Sequence, residues 1–334
     1  MAAPAKRSLV YGFLLKKEST YGTYTAPSAS TDALLMQFSD RYQASVGVEA
    51  FDFDGDLGPS SADLGELRRV RPSGKSIAAD IPVRFKGAGV AYAAGTKPEV
   101  HTALEVSGFT PTGSFTASSE KYTYALTGDV ANPSSGSGIF YGHGEERKGK
   151  GLVANWSFAF DNQAPPIHTF RFLGIFEGNL ADAAVPATTY LYPSIVPPLA
   201  GQITATIGAW GDAIIYGGSF DMGRQIDNPR VPLNNTGTHL GVLPGGHQPR
   251  LRLTIERPAI SAYNYETKRD TAVAEAIALT FGSTQYNRWK LNLDTTYLIS
   301  ATPSTRGSVA TLDLEYACVN SALGTEDAVE VVFD

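Results

Sequence analysis

Short runs in which apolar and polar residues alternate recur along most of this chain. Ile77, Ala79, Ile81, Val83 and Phe85 fall on one face of such a run, as do Ala154, Trp156, Phe158 and Phe160. Phe170 and Phe172 continue the pattern, and Leu251, Leu253 and Ile255 alternate with Arg250, Arg252 and Thr254. Near the end, Leu312, Leu314 and Tyr316 are set against Asp313 and Glu315. A period of two with one polar face predicts half-buried antiparallel strands. The expected fold is therefore mainly β, with short flanking helices.

Helical spacing is confined to two segments. In Thr96–Gly108, Thr96 and Glu99 have capping-box spacing, Pro98 suits a helix start, and Val100, Ala103 and Leu104 form an apolar stripe. The second, Asp270–Gly282, carries Val273, Ala276 and Ile277. The order of pieces recurs at an offset of about 170 residues, as Phe51-Asp52 matches Phe220-Asp221 and Ile81/Val83 match Leu253/Ile255. Val100/Leu104 match Val273/Ile277, and each half closes in a strand pair. These matches predict two tandem copies of one unit, residues 1–180 and 181–334, with an extra hairpin near Lys121–Lys150 in the first.

Composition narrows the function. Of 334 residues 43% are hydrophobic and 18% charged, which allows a substantial core, and the formal net charge of −6 argues against gripping nucleic acid through its phosphates. The single cysteine, Cys318, lies in an apolar run and is expected to be a small buried residue. The apolar run Leu9–Leu15 is short and broken by Gly12, so it predicts a strand rather than a secretory signal, and no run reaches membrane-spanning length.

Candidates for chemistry are weak. Asp52, Asp54 and Asp56 have the spacing that opens a calcium loop, but the sixth position is Leu57 instead of glycine and the twelfth is Asp63 instead of glutamate. Solvated or interface acid is the expectation there. His143, Glu145 and Glu146 sit in a charged stretch that predicts a hairpin tip, and His101 is expected to pack rather than catalyse. No nucleophile elbow, zinc spacing or phosphate loop is present. No catalytic residue, metal site or cofactor is expected.

Lys16–Asp40, with Glu18, Tyr21, Gly22 and Thr23 in a Glu-x-x-Tyr-Gly-Thr pattern, resembles the opening of tail tube proteins of long-tailed, non-contractile bacteriophages. The resemblance continues through "RRVRPSGKS", "PEVHTALEVSGF", the aromatic strand pair "NWSFAF…TFRFLGIFEG" and the acidic C-terminal "EDAVEVVFD". It implies a non-enzymatic virion protein with a tail-tube-type β-sandwich or barrel. Rings of subunits would stack into a tube that conducts genome DNA, and a duplicated chain would form a trimeric, pseudo-sixfold ring. The partners implied are other copies of the chain, the tail terminator, tape-measure and distal tail proteins, and DNA in passage without specific binding. Assembly in the host bacterial cytoplasm is implied, with no membrane. A β-rich carbohydrate-binding or host-adhesion protein is the alternative.

Two sets of residues follow as candidates. Asp52, Asp54, Asp56, Asp63 and Glu66 are followed by Arg68, Arg69, Arg71 and Lys75, a two-signed loop suited to fixing ring stacking by charge complementarity. Asp313 and Glu315 are candidate acids of the lumen wall, where few cations are expected.

Overall fold

The computed structural model describes residues 12–36, 44–51, 71–127, 133–142, 144–161, 164–211, 213–226, 241–242, 244–322, 325 and 327–334. The first part of the chain contributes strands β1 (Gly12–Lys17), β2 (Ala33–Leu34), β3 (Ala44–Phe51) and β4 (Arg71–Val83), then helix α1 (His101–Val106). β5 (Phe109–Ser114), β6 (Lys121–Leu126), β7 (Gly136–Gly142), β8 (Glu145–Asp161) and β9 (Ile167–Asp182) follow. The remainder supplies β10 (Ile203–Ile207), β11 (Ile215–Asp221), β12 (Arg250–Glu256), α2 (Tyr265–Asp270) and β13 (Ala274–Phe281). It closes with β14 (Trp289–Arg306), β15 (Val309–Cys318) and β16 (Glu330–Phe333). The strands pair antiparallel in one large sheet, so the mainly-β expectation holds.

The alternating apolar positions are the core. Ile77, Ile81, Trp156, Phe170, Phe172, Leu251, Ile255, Leu312 and Tyr316 are all fully buried, and Cys318 is buried with them. Aromatic contacts between non-neighbouring strands show the sheet folding back on itself. Phe13 of β1 lies 5.2 Å from Phe172 of β9, and Phe158 of β8 meets Phe281 of β13 edge-on at 6.0 Å. One apolar cluster runs through both parts of the chain.

The pairing order repeats. β1 pairs β7, β7 pairs β8, β8 pairs β9, β9 pairs β4 and β4 pairs β3. In the same order β10 pairs β13, β13 pairs β14, β14 pairs β15, β15 pairs β12 and β12 pairs β11. Between its helix and β7 the first part has an additional hairpin, β5–β6, at Phe109–Leu126 instead of Lys121–Lys150. Residues 121–150 hold β6, β7 and the start of β8, two of which belong to the repeated order. β6 in turn pairs β16, which pairs β14.

Both helix expectations need correction. α1 starts later than the capping box implied: Val100 is its N-cap residue with no side-chain cap, while Glu99 is drawn away by the Leu35 N–H (2.8 Å) and Lys86 (3.0 Å). The stretch read as a helix from Asp270 is strand β13, and the helix lies before it, capped by Asn264, whose side chain accepts from the Thr267 N–H. Glu275, Ile277, Leu279 and Phe281 are the buried set of β13, a period of two. An acid at the first of these positions hid the alternation. Its burial is compensated by Lys268 and by the Tyr263 hydroxyl, which donates at 2.7 Å.

The Glu-x-x-Tyr-Gly-Thr stretch is a clasp anchored by the buried Glu18. The Glu18 carboxylate accepts from the Ser135 and Ser137 hydroxyls (2.6 and 2.7 Å) and from the N–H groups of Gly22 and Gly151 (2.8 and 2.9 Å). Gly22 and Gly151 have φ of +72° and +58°, a region that L side chains rarely adopt. Tyr21 crosses to the second part of the chain, where its hydroxyl accepts from the Val242 N–H and donates to the Val242 carbonyl.

Candidate functional site

Eight strands form an unbroken path in the order β3-β4-β9-β8-β11-β12-β15-β14. Because side chains alternate across a strand, the apolar set from β4 to β15 fills the core and the intervening set forms one polar face. Register fixes which polar residues are neighbours. Asp80 stands opposite Arg171, and Arg171 opposite Asn155. Ser157 pairs Asp221, Asp221 pairs Arg250, Arg252 pairs Glu315, and Thr254 pairs Asp313.

The side chains act on these neighbours. Asn155 Nδ2 donates to Asp221 at 3.0 Å, and Thr254 Oγ1 donates to Asp313 at 2.6 Å. Arg252 donates to Glu315 at 3.2 Å, with the arginine side chain 67% exposed and the glutamate 29%. Asp313 and Glu315 are thus brought together on one solvent-facing wall, each held by a partner from β12. The wall is not purely acidic, since Arg171, Arg250 and Arg252 are interleaved with the acids; the strands that carry them are interleaved in the same way. A concavity of about 650 Å³ lies by β8, β11 and β12, lined by Asp161, Asp221, Arg250 and Arg252 together with the apolar Pro165 and Ile167.

The two-signed loop mostly lies outside the described residues. This applies to Asp52, Asp54, Asp56, Asp63, Glu66, Arg68 and Arg69, whereas Arg71 and Lys75 belong to the backbone of β4. The antiparallel ladder of β3 and β4 ends at the pair Phe51–Arg71. His143 also lies outside. Glu145 and Glu146 are at the β7–β8 hairpin tip and pair with Arg147 and Lys148, in line with a charged tip.

Buried ionisable groups serve packing. His101 Nδ1 is 2.8 Å from the Tyr124 hydroxyl, and burial pushes its imidazole down to about 4. His168 is fully buried against Phe85 and is held well below its ordinary value by desolvation. Lys86 and Glu99 form a buried ion pair between the segment after β4 and the start of α1. Among the described residues no group of three or more His, Cys, Asp or Glu is placed to hold a metal ion, and no helix is long and apolar enough to cross a membrane.

No protein-family model matches this chain, and no curated protein matches it.

Proposed function

We propose that this chain is the structural subunit of a phage-type tail tube, in which rings stack into a conduit for DNA. The observation that carries this is the eight-strand path with one apolar and one polar face, built from a pairing order that occurs twice. The two halves, 1–180 and 181–334, are read as tandem tube units. Three copies would close about 24 strands, more than the 16–18 that already leave an aqueous channel in porins. At ~4.8 Å between strands and a tilt of ~40°, the backbone cylinder would be roughly 48 Å across, wide enough for a duplex after side chains take their share.

On this reading the polar face is the lumen wall. Asp313 and Glu315 repel phosphate, and Arg252, engaged by Glu315, offers less free charge to a passing backbone. Terminator, tape-measure and distal tail proteins would meet the ends of the tube in the virion. The acidic and basic segment from Asp52 to Arg69, followed by Arg71 and Lys75 at the start of β4, would contact the next ring. A sugar-binding role is less well supported, because Phe158, Phe160 and Phe220 at the concavity are at most 6% exposed and offer no stacking platform.

Negative-stain microscopy of the purified chain tests the proposal. Hollow rings or tubes with threefold averages are expected. A protein that stays monomeric at high concentration and forms neither would overturn it.

A further inference from the structure

Beyond β11 the backbone forms one side of a narrow arm whose other side leads into β12. The Gln225 N–H donates to the Gly246 carbonyl and the Gln248 N–H to the Gly223 carbonyl, both at 3.3 Å. These two bonds flank Arg224 and His247, the relation of a non-hydrogen-bonded antiparallel pair, whose side chains share a side and stand close together. Arg224 reaches from there into the first part of the chain. Its backbone N–H donates to Asn155 Oδ1 at 2.9 Å, and its Nη1 donates to the carbonyls of Val106 and Ala154 at 2.9 and 3.2 Å. The guanidinium lies against Gly108, which has φ of +98° and where a Cβ would come within 3.3 Å of Cζ.

Arg224 is only 7% exposed, yet the acceptors of its guanidinium are neutral carbonyls. No carboxylate among the described residues pairs with it, and its Nε–H is buried without an acceptor among them. His247 Nδ1, on the residue directly opposite, is also buried and without a partner among them. Buried charges are ordinarily paired, and carbonyl dipoles satisfy donors without cancelling the charge. Two orphaned nitrogens and an uncompensated cation therefore meet at one place.

We infer that Arg224 and His247 hold a small inorganic anion between them, Arg224 through Nε–H and His247 through the Nδ1–H of its neutral ring. The anion supplies the counter-charge that the described residues do not place beside the guanidinium. Both nitrogens are buried, so a compact ion such as chloride suits the place and a bulky one does not. Arg224 belongs to the second part of the chain, whereas Val106, Gly108, Ala154 and Asn155 belong to the first. The ion thus ties the arm to the end of α1 and to β8. The site lies within one chain and is independent of ring assembly.

Chloride is the probe, exchanged against gluconate at constant ionic strength, with the melting temperature of the dispersed full chain as readout. Melting should rise with chloride, by about 2 °C once chloride stands tenfold above its Kd, through mass action on the folded state. His247→Ala, checked for folding by circular dichroism, should raise the chloride concentration needed by about tenfold, as expected for one lost hydrogen bond to a charged group. Arg224→Gln should abolish the response. Crystals of the unmodified chain soaked in bromide should show an anomalous peak beside Arg224 Nε. Equal melting temperatures in chloride and gluconate would overturn the site and assign both nitrogens to water. A chloride response unchanged in His247→Ala would mark a general salt effect and overturn it as well, as would crystals without the bromide peak. Should Arg224→Gln fail to fold, His247→Ala and the bromide peak decide the matter.

Discussion

Replacing Glu18 by alanine should lower the melting temperature of the chain by about 6 °C. The carboxylate takes four hydrogen bonds, two from hydroxyls and two from backbone N–H groups. The hydroxyls of Ser135 and Ser137 can rotate to other acceptors, at about 0.5–1 kcal/mol each. The N–H groups cannot turn away. That of Gly151 is buried and is left with the desolvation penalty of an orphaned donor, about 1–3 kcal/mol, and that of Gly22 loses a charged acceptor near the surface. The total is about 4 kcal/mol. An unfolding entropy of ~2.1 cal/mol/K per residue gives roughly 0.7 kcal/mol/K for a chain of this size, and dividing yields the shift.

Differential scanning fluorimetry on dispersed protein measures it, with Glu18→Gln as the companion variant. Glutamine keeps one acceptor oxygen but turns an NH2 group towards donors, so it should fall between alanine and the unmodified chain. A Glu18→Ala melt within 1 °C of the unmodified protein would refute the clasp as a stabilising device. It would also remove the physical account of the Glu-x-x-Tyr-Gly-Thr stretch.

Lys86→Met should destabilise by about 3–5 kcal/mol because it strands the buried Glu99 carboxylate, and adding Glu99→Leu should restore most of the loss; chemical denaturation checks both. Stability should fall as pH drops from about 6.5 towards 4. Burial holds His101 and His247 at about 4, so the unfolded chain takes up protons there that the folded chain does not, and each site contributes up to ~1.4 kcal/mol per pH unit. The full contribution is present above 6.5, and a melting profile that is flat between pH 6.5 and 5 would contradict this. Cys318, buried and with its thiol pushed up to about 12, should resist a thiol reagent in the folded chain and react fully on denaturation.

Much of the fold was legible because burial imposes a period of two, and every apolar set read from alternation lies in the core. The misreading at β13 has a specific cause. Glu275 occupies a core-facing place, so the remaining apolar residues, Val273, Ala276 and Ile277, take on helical spacing. Only the tertiary partners Lys268 and Tyr263 make the acid tolerable there, and neither is visible from the strand itself. The polar face was legible residue by residue, as with Asp313 and Glu315. Its neighbours were not, since alternation says which way a side chain points and nothing about which strand lies alongside. The pairing of β8 with β11, which extends the wall across both halves, is such a long-range choice. The arginines escaped notice for the same reason: Arg252 becomes a partner of Glu315 only through the β12–β15 register.

That long-range choice bears on solubility as well as assembly. An open edge of unpaired N–H and C=O groups templates aggregation unless it is short, charged, covered or used. Much of the sheet elsewhere follows this rule. β16 covers the edge of β14 opposite β13 over Trp289–Asn292, and β6 covers β16 in turn. The distal edge of β14 has Pro303 as a partial block and Arg306 near its end, yet it also keeps Ile299 exposed. Ile299 falls at the bulge between Leu298 and Ser300, where the ladder to β15 shifts register. The bulge, the proline and the arginine together break the regular row of donors and acceptors that indiscriminate strand pairing needs.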